Sequence, residues 1–144
     1  MTSKYQQKMV EQKSRKGSEK MVKGTGIDLV SIPRFNEALN RRGRRLLEKV
    51  FTPAEREACG WRAHKLAGRF AAKEAFFKAL GTGFRGFKWH DLEVRNNELG
   101  APYLHFSPRL AGHIGAQGIT CAHLSISHDQ EYAIAQVILE GEYR

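Results

Sequence analysis

Four side chains in this sequence belong to types that handle phosphates and protons, and their neighbours set what each could do. Asp28 shares one face of an apparent strand with Gly24 and Gly26 in Met21-Val22-Lys23-Gly24-Thr25-Gly26-Ile27-Asp28-Leu29-Val30. Glycines there remove side chains and leave room for a ligand beside a carboxylate; the plainer reading is a loose strand ended by its Asp. Glu74 sits in a helical segment, roughly 60° from the centre of a stripe formed by Leu66, Phe70 and Phe77. A carboxylate at the border of a core face is costly unless something pairs with it. Lys78, four residues on, offers an ordinary ion pair; a metal ion offers the sharper alternative. Asp28 and Glu74 together would form a hard oxygen site suited to magnesium, which needs only one or two protein carboxylates when a ligand supplies phosphate oxygens. His128, after Ser125-Ile126-Ser127 and beside a turn, is of a type that can bind phosphate or shuttle a proton, although an isolated histidine there is usually structural.

These residues need elements to hold them. The segment 21–30 reads as a strand, with Val22, Gly24, Gly26, Asp28 and Val30 alternating onto one face. Pro33 opens an arginine-rich helix predicted to run to about Arg45. Thr52-Pro53-Ala54-Glu55 carries a capping box for a short helix that breaks near Gly60. A stronger helix spans about 64–80 and stops at Gly81-Thr82-Gly83. On it Lys65, Arg69 and Lys73 form an i, i+4, i+8 stripe of like charge, which points to a nearby anion or to a solvated basic face. Strands are expected over Leu92–Arg95 and Pro102–Phe106, a helix from Ser107-Pro108 to about Gln117, and a final hairpin over Cys121–Ser127 and Glu131–Leu139. The order β-α-α-β-β-α-β-β gives an α+β fold on a largely antiparallel sheet.

The gross numbers set bounds. A chain of 144 residues with 41% hydrophobic content has the size of one domain and enough apolar surface for a core. No run is long enough to span a membrane, and the first twenty residues lack the apolar stretch of a secretory signal. Cys59 and Cys121 suggest neither a disulfide framework nor a zinc grid, so a reducing cytoplasm fits. Residues 1–20 hold six Lys/Arg and two Glu, and read as a flexible basic extension to a single domain over 21–144, with Met21 as a second candidate start. The net charge of +9 is therefore not only a tail effect, and it favours polyanionic or acidic partners.

Taken together, the segments resemble the bacterial holo-acyl-carrier-protein synthases, the short trimeric type of the 4′-phosphopantetheinyl transferase superfamily. The opening Gly24-Thr25-Gly26-Ile27-Asp28-Leu29-Val30 is similar to that family's first motif. Gly68-Arg69-Phe70-Ala71-Ala72-Lys73-Glu74-Ala75-Phe76, with Lys78 and Gly81-Thr82-Gly83, resembles its central and most specific block. Gly100-Ala101-Pro102-Tyr103, His123-Leu124-Ser125-Ile126-Ser127-His128 and Glu131-Tyr132-Ala133 match its later loop and closing hairpin. The departure is the extension over residues 1–20.

The resemblance implies the transferase fold, with its sheet packed on a long central helix, and transfer of 4′-phosphopantetheine from coenzyme A to a serine of an acidic acyl carrier protein, by default one of fatty-acid synthesis. It implies magnesium ligands at Asp28 and Glu74, coenzyme A contacts at Lys78, Gly81, Gly83, Gly100, Pro102 and His128, and catalytic roles for Glu74, Lys78 and His128. It also implies a homotrimer with sites between subunits. Arg34 would face the carrier protein; charge reasoning adds Arg41 and Arg45. Glu74 and His128 both remain candidates for the base that takes the serine proton. Two other readings compete: a nucleic-acid-binding module, supported by the charge but lacking any recognisable motif, and a catalytically silent scaffold on the same fold. Neither nucleic acid nor membrane is an expected partner.

Overall fold

The computed structural model describes residues 19–81 and 86–142. The expected basic extension lies outside the described residues up to position 18, as does Gly83.

The chain opens with β1 (Lys20–Ser31). Ser31 then caps α1 (Ile32–Arg42), its hydroxyl accepting a hydrogen bond from the Arg34 backbone N–H. The single helix expected through Arg45 is in fact two. Gly43, at φ 58°, ends α1 in a backbone conformation that side chains resist, and α2 (Arg44–Val50) starts afresh. The capping box at Thr52 forms as predicted and begins α3 (Pro53–Cys59), which ends at Gly60. The long central helix is α4 (Ala63–Leu80), closed by Gly81 in the left-handed conformation. A single 3-10 turn at Trp89–Asp91 leads into β2 (Leu92–Asn96) and β3 (Pro102–Phe106). Then come α5 (Pro108–Ala116), β4 (Ile119–His128) and β5 (Tyr132–Glu142).

Among the described residues, the strands form an antiparallel three-stranded sheet in the order β1-β5-β4, with β2 and β3 pairing as a separate antiparallel hairpin. The central strand β5 shows why the sheet has one inner face. Ala133, Ala135, Val137 and Leu139 are buried, while Tyr132, Ile134 and Gln136 between them are exposed. β1 alternates likewise, but a register irregularity between Val22 and Gly24 throws Val22 outward, off the face it was expected to share with Gly24 and Gly26.

α4 lies across the inner face, and small residues make the approach possible. A Cβ added to Gly24 would collide with the carbonyl oxygen of Ala79, and one added to Gly26 with that of Ala75. The two glycines therefore do not leave space for a ligand, one of the two readings open from sequence; they let the strand and helix backbones touch. α4 also borders both hydrophobic clusters. Ala71, Ala75, Phe76 and Phe77 join Leu92, Val94, Leu110, Val137 and Leu139 in one. Leu66 and Ala67 join Phe35, Leu39, Val50, Phe51 and Cys59 in the other. Each large side chain taken fully out of water here contributes about 1.5–3 kcal/mol.

Lys73 is the chief departure from the helical pattern. Far from lying on a solvated or anion-binding basic face, it is fully buried. Its ammonium meets the Glu55 Oε1 at 2.6 Å, the Val50 carbonyl at 2.7 Å and the Trp89 carbonyl at 3.2 Å. Burial pushes the Lys73 pKa down, and Glu55 pulls it back up. Glu55 is used twice over: Oε1 also accepts from the Thr52 N–H, and Oε2 accepts from the Val94 N–H at 2.9 Å. Arg69, from the same stripe, reaches Asn96 at 2.6 Å instead of an anion.

Candidate functional site

With Lys73 turned inward, α4 keeps one seam open to water. From Leu66 to Leu80 only Arg69, Phe70, Glu74 and Lys78 are less than buried, and Phe70, Glu74 and Lys78 recur at i, i+4, i+8 along one side. Glycine contact presses β1 against this helix, and Asp28, two residues beyond Gly26 on the same strand face, arrives beside the seam. The Lys78 ammonium donates to Asp28 Oδ1 at 2.8 Å and to the Ile27 carbonyl at 3.1 Å. That hydrogen bond to Asp28 leads the effects that raise the Lys78 pKa.

Glu74 completes the cluster. Partial burial pushes its carboxyl above the usual range, the neighbouring charge of Asp28 pushes it further, and Lys78 offsets part of this. Two carboxylates that feel each other in this way form an anionic hard-oxygen pair. Among the described residues no group of three or more His, Cys, Asp or Glu side chains is gathered for a metal. Two carboxylates still fit a magnesium ion, which fills its remaining positions with water and phosphate oxygens.

The carboxylates open into a groove lined by Asp28, Leu29, Val30, Ser31, Arg34, Phe35, Phe70, Glu74 and Tyr132. Arg34 joins the lining from the first turn of α1, so the groove combines one cation, two carboxylates and several apolar side chains. A second groove, lined by Lys49, Phe87, Lys88, Trp89 and His90, contains no carboxylate. The paired carboxylates that suit a hard cation lie in the first groove.

Of the residues singled out from the sequence, the structure brings together Asp28, Glu74, Lys78 and Arg34. It does not bring His128 to them within the chain. The His128 ring packs against His64, 5.2 Å between centroids, at the opening of α4. Ten residues of helix, about 15 Å, separate His64 from Glu74. Gly81 caps α4 just past Lys78. Gly100 and Pro102 lie on the β2–β3 hairpin, where Asn96 donates to the Gly100 carbonyl and is itself held by Arg69. Arg34, Arg41 and Arg45 are all exposed. Arg34 and Arg41 fall about 20° apart around the α1 axis, whereas the break at Gly43 separates Arg45 from them. Sequence reasoning did not single out Leu29, Phe35 or Tyr132 as groove walls. Nothing local marks them, because they converge from β1, α1 and β5.

Comparison with known proteins shows the family. Residues 24–137 match the model of the 4′-phosphopantetheinyl transferase superfamily, ACPS. The chain belongs to that superfamily. Among curated relatives, a holo-[acyl-carrier-protein] synthase of Trichlorobacter lovleyi is 51% identical over 125 residues, covering 84% of this chain and 99% of the relative. One of Desulforudis audaxviator is 47% identical over 126 residues, covering 84% and 95%. Among solved structures, the Neisseria meningitidis holo-[acyl-carrier-protein] synthase superposes with a TM-score of 0.78 at 34% identity, covering 83% of this chain and 98% of that one. The Helicobacter pylori enzyme, solved in complex with coenzyme A, gives 0.74 at 33% identity, covering 80% and 98%. Superfamily membership leaves the nucleic-acid reading without support beyond net charge.

Proposed function

We propose that the chain transfers 4′-phosphopantetheine from coenzyme A to a serine of an acyl carrier protein, releasing adenosine 3′,5′-bisphosphate. The observation that carries this reading is the meeting of Asp28, Glu74 and Lys78 at one groove, inside a match to the transferase superfamily that spans most of the chain. Asp28 and Glu74 would hold magnesium. Bound there, the ion supplies charge neutralisation for the diphosphate.

The remaining chemistry falls to this chain's own groups. Lys78 supplies a mobile ammonium for phosphate oxygens. The serine oxygen forms a bond to the phosphorus that carries the pantetheine arm, and the bond from that phosphorus to the bridging oxygen breaks. The electron pair leaves with adenosine 3′,5′-bisphosphate. The serine proton passes to a base. Glu74, with its raised pKa, is the candidate within the groove. His128, beside His64 at the far end of the helix, enters only from a second copy. Gly100 and Pro102, on their hairpin, contact coenzyme A in the same reading, as do Gly81 and the undescribed Gly83.

Assembly into a trimer with sites between subunits belongs to this proposal. The outward face of the sheet supports it: Ile27, Leu29, Tyr132 and Ile134 are large, apolar and exposed, and Leu29 stands directly opposite Ile134. The exposed Arg34 and Arg41 suit an acidic carrier. The described cysteines, Cys59 and Cys121, are both free, which suits a reducing cytoplasm. No described helix is long and apolar enough to cross a membrane.

Mass spectrometry of an apo carrier protein incubated with this chain, coenzyme A and magnesium tests the reaction. A mass gain of one phosphopantetheine, lost when a chelator is added, is the expected result. An unmodified carrier in every condition overturns the proposal.

A further inference from the structure

The pair formed by Lys78 and Asp28 is unequal. The Lys78 side chain is 54% exposed, whereas that of Asp28 is 15% exposed. Asp28 is fixed in a strand whose backbone abuts α4, while Lys78 holds on by a long flexible stem and two hydrogen bonds, one to Asp28 and one to the Ile27 carbonyl. Glu74 lies one turn before Lys78 on the same seam and feels both charges. The cluster thus holds two anions and one cation, with the cation seated on a carboxylate oxygen that a divalent ion would also need.

We propose that Lys78 is a tethered counter-ion that yields Asp28 to the divalent cation and, once displaced, turns its ammonium to the diphosphate. This inference rests on the assignment of Asp28 and Glu74 as cation ligands. It makes Lys78 a competitor of the free cation before it becomes a phosphate contact. The binding of cation and diphosphate is then coupled: each favours the arrangement in which Lys78 has left Asp28, so each tightens the other. The ammonium also keeps the carboxylate pair neutralised in part while no cation is bound, limiting the repulsion between Asp28 and Glu74.

Titration with Mn²⁺ in the absence of coenzyme A, free ion being counted by electron paramagnetic resonance, tests the exchange. Removing the competitor in Lys78→Gln is expected to tighten Mn²⁺ binding about threefold to fivefold, the scale of an exposed ion pair. Lys78→Arg retains the competitor and is expected to match the parent. Lys65→Gln removes the same charge about 20 Å away along the helix, beyond effective screening, and is expected to leave affinity unchanged. Mn²⁺ binding that is unchanged or weaker in Lys78→Gln overturns the exchange, as does equal tightening in Lys65→Gln. Asp28→Asn separates the two claims. If it weakens Mn²⁺ binding while Lys78→Gln does not tighten it, the cation site stands and the exchange falls; if it leaves binding at the parent level, both fall. In a parallel measurement, the Lys78 ammonium resonance is expected to shift when magnesium is added, and a stationary resonance also overturns the exchange.

Discussion

Glu74 is held where its charge is unwelcome. Partial burial and the nearby Asp28 raise its pKa, so the folded chain binds this proton more tightly than the unfolded one. The stability linked to Glu74 is present below its unfolded value, in the ordinary acidic range of a glutamate, and is lost as pH rises through the raised folded value. In the presence of chelator, Glu74→Gln should therefore raise the melting temperature at pH 7 and flatten its dependence on pH across that window, as thermal unfolding at several pH values will show. The same variant should lose magnesium-dependent transfer, and magnesium should raise the melting temperature of the parent but not of Glu74→Gln. Lys73, one position earlier, presents the opposite case. Lys73→Met strands the Glu55 carboxylate in the interior and should cost about 3–5 kcal/mol in denaturant unfolding. Changing Glu55 to Gln in that background should recover part of the loss, because no unpaired charge then remains.

At the scale of elements, local grammar was readable and long-range pairing was not. The capping box at Thr52 and the span of β3 follow from neighbouring residues, and both form as expected. The fate of Lys73 depends on Glu55, 18 residues away, and on carbonyls of Val50 and Trp89 that no periodicity reveals. A stripe of like charges on a helical wheel looks solvated because the wheel omits what packs against it. Asp28 and Glu74 could be singled out from sequence because both residue types are conspicuous where they stand. Neither reading of the glycines before Asp28, room for a ligand or a loose strand, anticipated their neighbour, which is the backbone of α4. Gly26→Ala tests this. Its methyl group meets a carbonyl that cannot rotate away, so the variant should lose about 1–3 kcal/mol of stability. It should also lose cation affinity, measured in parallel, because Asp28 is displaced from Glu74.

For the whole molecule, two surfaces of different character should answer to different conditions. If the exposed arginines of α1 serve the proposed encounter with an acidic carrier, carrier binding should weaken as salt rises, and Arg34→Glu should weaken it roughly tenfold at low ionic strength and less at high. Surface plasmon resonance across a salt series reads both effects. The exposed apolar face of β1 and β5 would be buried in the proposed assembly, an effect that salt does not screen. Leu29→Lys should shift the mass seen by analytical ultracentrifugation toward the monomer and lower transfer with it.

The long helix α4 has hydrophobic clusters on both flanks and only a narrow seam left to water. It works as a party wall: neither side can settle without moving the other, and Glu74 and Lys78 are mounted on the seam it leaves open. Slack introduced in either cluster, even by a substitution that touches no charged atom, is therefore transmitted to Glu74 and Lys78, and with them to the proposed cation site. Remote lesions in this chain should betray themselves first as a need for more magnesium, and only afterwards as a lower unfolding temperature.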